Sequence, residues 1–318
     1  MRVAILDDIH RAYDSTEGVR RLRERAEVRI FHAPFGEPSA LQGFDALVAN
    51  RERTRFTREL LARLPDVRII AQTGNHAPHI DLSAARDQGI IIARASGGFS
   101  FGAAELTIGL TIAVMRQILT MDAAMRRGEW STPLTPILHG KSLGIIGLGK
   151  VGRHVATIAA AFSMRVLAWS PRLDTARASS AGAEAMDLDH LMATADIVSI
   201  HAALGPTSRG LIDARRIGLM KPTAYLINTA RGPIVVESAL VSALAEKRIA
   251  GAGLDVFDEE PLPPGHPLTT LPNVVLTPHI GWPTDGGYAQ FAAAAADVLL
   301  AYLDGRDFSR FAGVSSAR

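Results

Sequence analysis

The chain has 318 residues, 47% hydrophobic and 21% charged, a formal net charge of +2 and no cysteine. This length provides for two domains with sizeable cores, and the lack of cysteine excludes disulfides, thiolate catalysis and thiolate metal sites. Lys and Arg are scattered, with the Arg20–Arg25 cluster broken by Glu24, and no apolar run nears the roughly 20 residues of a membrane span, so neither a nucleic-acid nor a membrane partner is expected.

In chain order, short apolar runs alternate with amphipathic segments, the pattern of an α/β fold with parallel sheets. The first five predicted strands are Arg2–Leu6, Val28–Phe31, Ala46–Ala49, Val67–Gln72 and Ile90–Ala93. Acidic residues at Asp7 and Asp8 come too early for a secretion signal, and a cytoplasmic location is expected. Helices are predicted over Thr57–Leu64 and Leu82–Gln88, the second with Asp81 as N-cap. A single long helix is predicted from about Gly102 to Arg127, apolar around most of its circumference and therefore suited to a buried or subunit-contact position. After the Thr- and Pro-rich loop Trp130–His139, a second α/β unit runs from Lys141 to about Trp282, and a last helix covers Asp285–Leu303.

The second unit opens with Gly147-Leu148-Gly149-Lys150-Val151-Gly152. An apolar strand precedes it, and an amphipathic segment and a second strand, Arg165–Trp169, follow, which makes a complete βαβ start for binding a dinucleotide. Gly147 permits the tight turn, Gly149 lets the backbone approach a pyrophosphate, and Gly152 permits close helix–strand packing; the helix N-terminus then meets phosphate charge. The second strand ends Trp169-Ser170-Pro171-Arg172, without the usual ribose-binding acid. A missing carboxylate removes repulsion toward a 2′-phosphate and a guanidinium pairs with one, so the sequence leans toward NADP over NAD. Asp174, which could reach back to a ribose, and a solvent-facing Arg172 keep NAD open.

Three later segments each carry polar residues out of an apolar run: Asn228-Thr229-Ala230-Arg231-Gly232, Asp255-Val256-Phe257-Asp258-Glu259-Glu260-Pro261, and Thr277-Pro278-His279-Ile280-Gly281. Ligands of open parallel sheets bind beyond the strands' carboxyl ends, so Arg231, Glu260 and His279 are the expected catalytic residues of one crevice. Reduction of a 2-oxo acid needs a fixed cation to hold the carboxylate and polarise the ketone, which suits Arg231. It also needs a proton donor near neutral pH, which suits His279, and a carboxylate that orients the imidazole and favours its charged form, which suits Glu260.

These motifs, in this order and over nearly the whole chain, resemble the D-isomer-specific 2-hydroxyacid dehydrogenases. The resemblance implies two Rossmann-like domains, a substrate domain of residues 1–98 and 284–318 with a dinucleotide domain of residues 99–283 inserted between. It implies that Asp255, Ser170, His201, Ala202, Thr229 and Ala230 line the cofactor, and that Thr73, Gly74 and Asn75 lie in the substrate-binding loop, with Arg51 near the cleft. A homodimer through the 102–127 region is implied, and no metal. Departures are the missing ribose-binding acid, the absence of Pro after His201-Ala202-Ala203-Leu204, Val236 where the family often has Asp, and His76 and His79 in a loop that is usually small and apolar. His76, Trp282 and Tyr288 are candidates to shape the substrate pocket. The expected reaction is hydride transfer between NAD(P)H and a small 2-oxo acid, of the glyoxylate or hydroxypyruvate type or bulkier, giving a D-2-hydroxy acid. The alternatives are a non-enzymatic, corepressor-like nucleotide sensor of the same fold and oxidation of another small anion such as phosphite; glutamate at 260, where formate-oxidising members carry Gln, argues against formate.

Overall fold

A computed structural model describes residues 1–74, 77, 79–95 and 100–306. The chain divides into two units, residues 1–99 with 283–318, and residues 100–282. The first holds β1 (Arg2–Ile5), β2 (Glu27–Ile30), β3 (Ala46–Ala49), β4 (Ile69–Thr73) and β5 (Ile91–Ala95) in a sheet of order β2-β1-β3-β4-β5, every pairing parallel. β3 and β4 are buried along their whole length; β3 is an unbroken apolar run, and the buried Gln72 and Thr73 that end β4 hydrogen-bond to the Thr73 and Ala49 carbonyls. Thr57 and Asp81 cap the helices Arg58–Ala62 and Leu82–Asp87 by accepting from the Leu60 and Ala84 N–H groups, at 3.3 and 2.9 Å. The helix Asp285–Leu303 belongs to this unit.

The second unit holds β6 (Ser142–Ile146), β7 (Arg165–Trp169), β8 (Glu184–Ala185), β9 (Ile197–Ile200), β10 (Tyr225–Asn228), β11 (Gly251–Leu254) and β12 (Val274–Leu276) in a sheet of order β12-β11-β10-β9-β6-β7-β8, again all parallel. Its strands send neighbouring residues to opposite faces. Ile145, Ile197 and Ile227 enter one core with Ala104, Leu110, Val155 and Ala159, while Ile146, Val198 and Leu226 enter another with Leu191, Ile217 and Leu240. The fold class is therefore α/β with two parallel sheets.

One predicted element is corrected. The segment 102–127 is not a single helix: helices Phe101–Met115 and Ile118–Arg126 meet at a 60° bend. Gln117 adopts the left-handed conformation at φ 52°, and its N–H and that of Arg116 close the first helix onto Val114 and Ile112 carbonyls. The break falls where burial changes. Eight residues of the first helix are buried, but only Ala124 of the second, so the core that holds the first helix straight does not direct the second.

Candidate active site

β10, β11 and β12 are adjacent strands, and the three polar segments leave their carboxyl ends side by side. β9 and β6 continue the same edge, so the glycine loop after β6 opens there too. Asn228, a buried residue at the end of β10, shapes the first segment. Its amide Nδ2 donates to the Arg231 carbonyl and its Oδ1 accepts from Ala230 N–H, each at 3.0 Å. Arg231 Nη1 donates to the Ala230 carbonyl at 2.6 Å. The Thr229 hydroxyl lies 2.8 Å from that of Thr107, on the helix Phe101–Met115. Gly232 has no space for a side chain: a Cβ would come within 2.0 Å of the Phe257 carbonyl carbon and oxygen. The Arg231 turn thus lies in direct backbone contact with the segment that carries Glu260.

Glu260 uses both oxygens. Oε1 accepts from Phe257 N–H at 3.0 Å, and Oε2 lies 2.7 Å from His279 Nδ1. Burial alone would push the Glu260 carboxyl up, but the His279 ring, the Phe257 amide and the charge of Arg231 outweigh it and hold the carboxyl below its ordinary range. Arg231, Glu260 and His279 therefore belong to one electrostatic group. His279 sits at φ 56°, a left-handed conformation uncommon for a non-glycine residue, with its N–H donating to the Thr277 carbonyl at 3.0 Å.

Asp255, fully buried, builds that turn. Its Oδ1 accepts from the Thr277 hydroxyl at 2.6 Å and Ile280 N–H at 2.8 Å, and its Oδ2 from Gly281 N–H at 2.9 Å. Burial raises the Asp255 carboxyl, against these bonds and the charge of His279. Asp255→Asn must turn an amide NH2 toward one of these donors, so the turn loses at least one bond. The expected result is a fall of about tenfold in kcat with a smaller change in cofactor affinity; steady-state kinetics beside a cofactor titration checks it.

The glycine loop has the shape of a phosphate cradle. Gly147 stands at φ 103°, and a Cβ there would lie 2.5 Å from Ala202 N, so the loop packs directly on the His201-Ala202 turn. A Cβ at Gly149 would meet nothing within 4 Å, and Gly149 N-caps the helix Lys150–Ala161 without a side-chain cap bond. Open space before uncapped helical N–H groups fits a pyrophosphate. Ser170 Oγ accepts from Leu148 N–H at 2.8 Å. Arg172 is exposed and its carbonyl accepts from Arg177 Nη1 at 2.9 Å, while Asp174 caps a short helix by accepting from Arg177 N–H at 2.8 Å. His201 pairs with Ser199 Oγ at 2.8 Å, and burial pushes its ring down to about 4, so it is neutral at pH 7.

In the first unit, Thr73 Oγ1 donates to the Ala49 carbonyl and accepts from Arg51 N–H, and the Arg51 guanidinium packs against Gly74. Asn75 and His76 lie outside the described residues. Tyr288 packs edge-on against the rings of Tyr13 and His10. The sequence places Asn228 and Thr277 at the head of two of the polar segments but assigns no role to them or to Thr107. The partnership of Thr107 with Thr229 spans 122 positions and leaves no local signal.

Residues 108–281 match the family model described as D-isomer specific 2-hydroxyacid dehydrogenase, NAD binding domain, and the chain belongs to this family. It is 41% identical to the glyoxylate reductase of Thermofilum pendens over 91% of this chain and 88% of that one. It is 34% identical to the D-3-phosphoglycerate dehydrogenase of Methanocaldococcus jannaschii over 96% of this chain but only 58% of that longer one. Among solved structures, an oxidoreductase of Ralstonia solanacearum described as a D-3-phosphoglycerate dehydrogenase superposes with a TM-score of 0.86 at 34% identity, covering 97% and 96% of the two chains. An acyclic imino acid reductase in complex with NADPH and D-Arg superposes with a TM-score of 0.81 at 26% identity, covering 97% and 99%.

Proposed function

We propose that this protein reduces a small 2-oxo acid to the D-2-hydroxy acid, with Arg231, Glu260 and His279 as its catalytic residues. The observation that carries this reading is the 2.7 Å contact between Glu260 and His279 Nδ1, within the field of Arg231. Bound in the glycine-loop cradle, a nicotinamide dinucleotide would supply the hydride. Arg231 holds the substrate carboxylate and draws charge toward the carbonyl oxygen. His279 has Nδ1 committed to Glu260, so Nε2 delivers the proton to that oxygen, and Glu260 stabilises the charged ring beforehand. Relatives named glyoxylate reductase and D-3-phosphoglycerate dehydrogenase support an oxo-acid substrate. The test is loss of nicotinamide absorbance with a panel of glyoxylate, hydroxypyruvate, pyruvate and bulkier oxo acids; cofactor binding without turnover of any of them would favour a sensing role.

The preferred cofactor is NADP. No carboxylate stands at the end of β7, the Ser170 hydroxyl and the Asp174 carboxylate are engaged within the chain, and Arg172 is exposed with Arg177 beside it; a solved relative binds NADPH. Arg172→Ala is expected to weaken NADPH by about tenfold, roughly 1.4 kcal/mol, and NADH by less than about twofold. Fluorescence titration of both cofactors checks this, and an equal loss for both would remove Arg172 from the phosphate site.

The 102–127 region is the proposed dimer contact. Ile118, Leu119 and Met125 on the second helix and Trp130, Leu134 and Ile137 in the following loop are all exposed, and a patch of such side chains marks an association surface. Leu119→Asp with Trp130→Ser is expected to halve the mass seen by light scattering.

A further inference from the structure

A second carboxylate–imidazole pair lies outside the residues assigned above. Glu237, the first residue of the helix Glu237–Ala245, is largely buried, and so is His266. Glu237 Oε1 lies 3.0 Å from His266 Nε2, and Glu237 Oε2 accepts from Asp258 N–H at 3.3 Å. His266 Nδ1 accepts from Leu268 N–H at 3.3 Å, so the neutral ring carries its proton on Nε2 and donates it to Glu237. One carboxylate therefore holds both ends of the loop from Asp258 to His266, and that loop carries Glu260.

Two consecutive backbone amides are each held by a glutamate. Phe257 N–H donates to Glu260 and Asp258 N–H to Glu237. Any rotation of the peptide between these residues moves the anchor that fixes Glu260 against His279. Val236, the N-cap residue of this helix, makes no side-chain capping bond. The charged groups acting on this corner are Glu237 and Arg209, which both act on the exposed Asp258, and His266.

We propose that Glu237 is a positioning residue for the Glu260–His279 pair, and that His266 orients it. The proposal rests on the assignment of that pair to catalysis. Glu237 touches neither Glu260 nor His279; it sets the loop geometry that brings the Glu260 carboxylate onto Nδ1. A residue that only stabilised the helix start would alter unfolding and leave the His279 ring unaffected.

The experiment compares the intact protein with Glu237→Gln, His266→Gln and His266→Ala. Histidine-selective 15N NMR reads the ionisation of the His279 ring, and kcat is measured beside the cofactor Kd. In Glu237→Gln the Nδ1 resonance of the His279 ring is expected to move from its parent position, because its carboxylate partner is held less well. kcat falls about tenfold while cofactor Kd changes less than about twofold. His266→Gln, whose amide still donates to Glu237, retains more activity than His266→Ala. An unmoved His279 resonance and kcat with only a lower Tm overturns the proposal. If Glu237→Gln does not fold, the two His266 variants decide: identical His279 ring resonances in both overturn it, and a displaced resonance in His266→Ala alone upholds it. The NMR reading needs no turnover, so the two failures are told apart: a parent protein inactive on every oxo acid defeats the functional reading, and an unmoved His279 resonance in an active parent defeats this one.

Discussion

His279→Ala is expected to lower kcat by about 10³-fold while cofactor Kd stays within about twofold of the parent value. The imidazole is the group whose Nε2 is left for substrate once Nδ1 is bound to Glu260 at 2.7 Å. The effect falls on kcat because the proton is needed as the hydride arrives, not while cofactor or substrate binds. A second consequence is measurable without substrate. In the parent protein Glu260 titrates below its ordinary range, so it contributes stability above that range which is lost as pH falls through the lowered value. Removing the ring that holds it down moves the Glu260 carboxyl upward, and the acid-unfolding midpoint moves to higher pH. Near-normal turnover by His279→Ala would end the acid–base assignment.

Gly232→Ala is expected to be nearly as damaging although residue 232 carries no functional group. Its Cβ would stand 2.0 Å from the Phe257 carbonyl carbon and oxygen, and 2.6 Å from Asp258 N. Backbone cannot swing aside as a flexible side chain can, so the Arg231 turn and the 257–260 segment must separate. A displacement of about 1 Å between groups that act on one substrate costs on the order of 10²-fold in kcat/KM, and the forced separation costs about 1–3 kcal/mol of stability. The measurements are kcat/KM on the best oxo acid of the panel and Tm by calorimetry. An alanine variant with parent-like values for both would mean that this contact is not needed for the site.

Much of this was legible in the sequence because it is written locally. The glycine loop lies between a strand and an amphipathic helix, so its order alone fixed the βαβ start, and Arg231, Glu260 and His279 each follow an apolar run closely enough to place them at strand ends. Their convergence depends on strand order, and β10, β11 and β12 prove to be neighbours. What was not legible depends on distant partners or on a change of environment. The break at Gln117 occurs because burial stops there, and neither Pro nor Gly marks it. The Glu237–His266 pair spans 29 positions, and each residue alone reads as an ordinary helix or loop residue. The three hydrogen bonds that tie Asp255 to the His279 turn reach across 22 to 26 positions and leave no local signal either.

Glu260 keeps no idle oxygen, one facing the Phe257 amide and the other the His279 ring. A glutamine in its place has only one orientation that avoids setting donor against donor, with the carbonyl toward Phe257 and the NH2 toward Nδ1. Nδ1 must then be a bare acceptor, which selects the neutral Nε2–H tautomer and forbids the imidazolium. A one-atom exchange at residue 260 would thus convert the neighbouring ring from a proton source into a fixed, uncharged hydrogen-bond donor, a switch from chemistry that consumes a proton to chemistry that needs none.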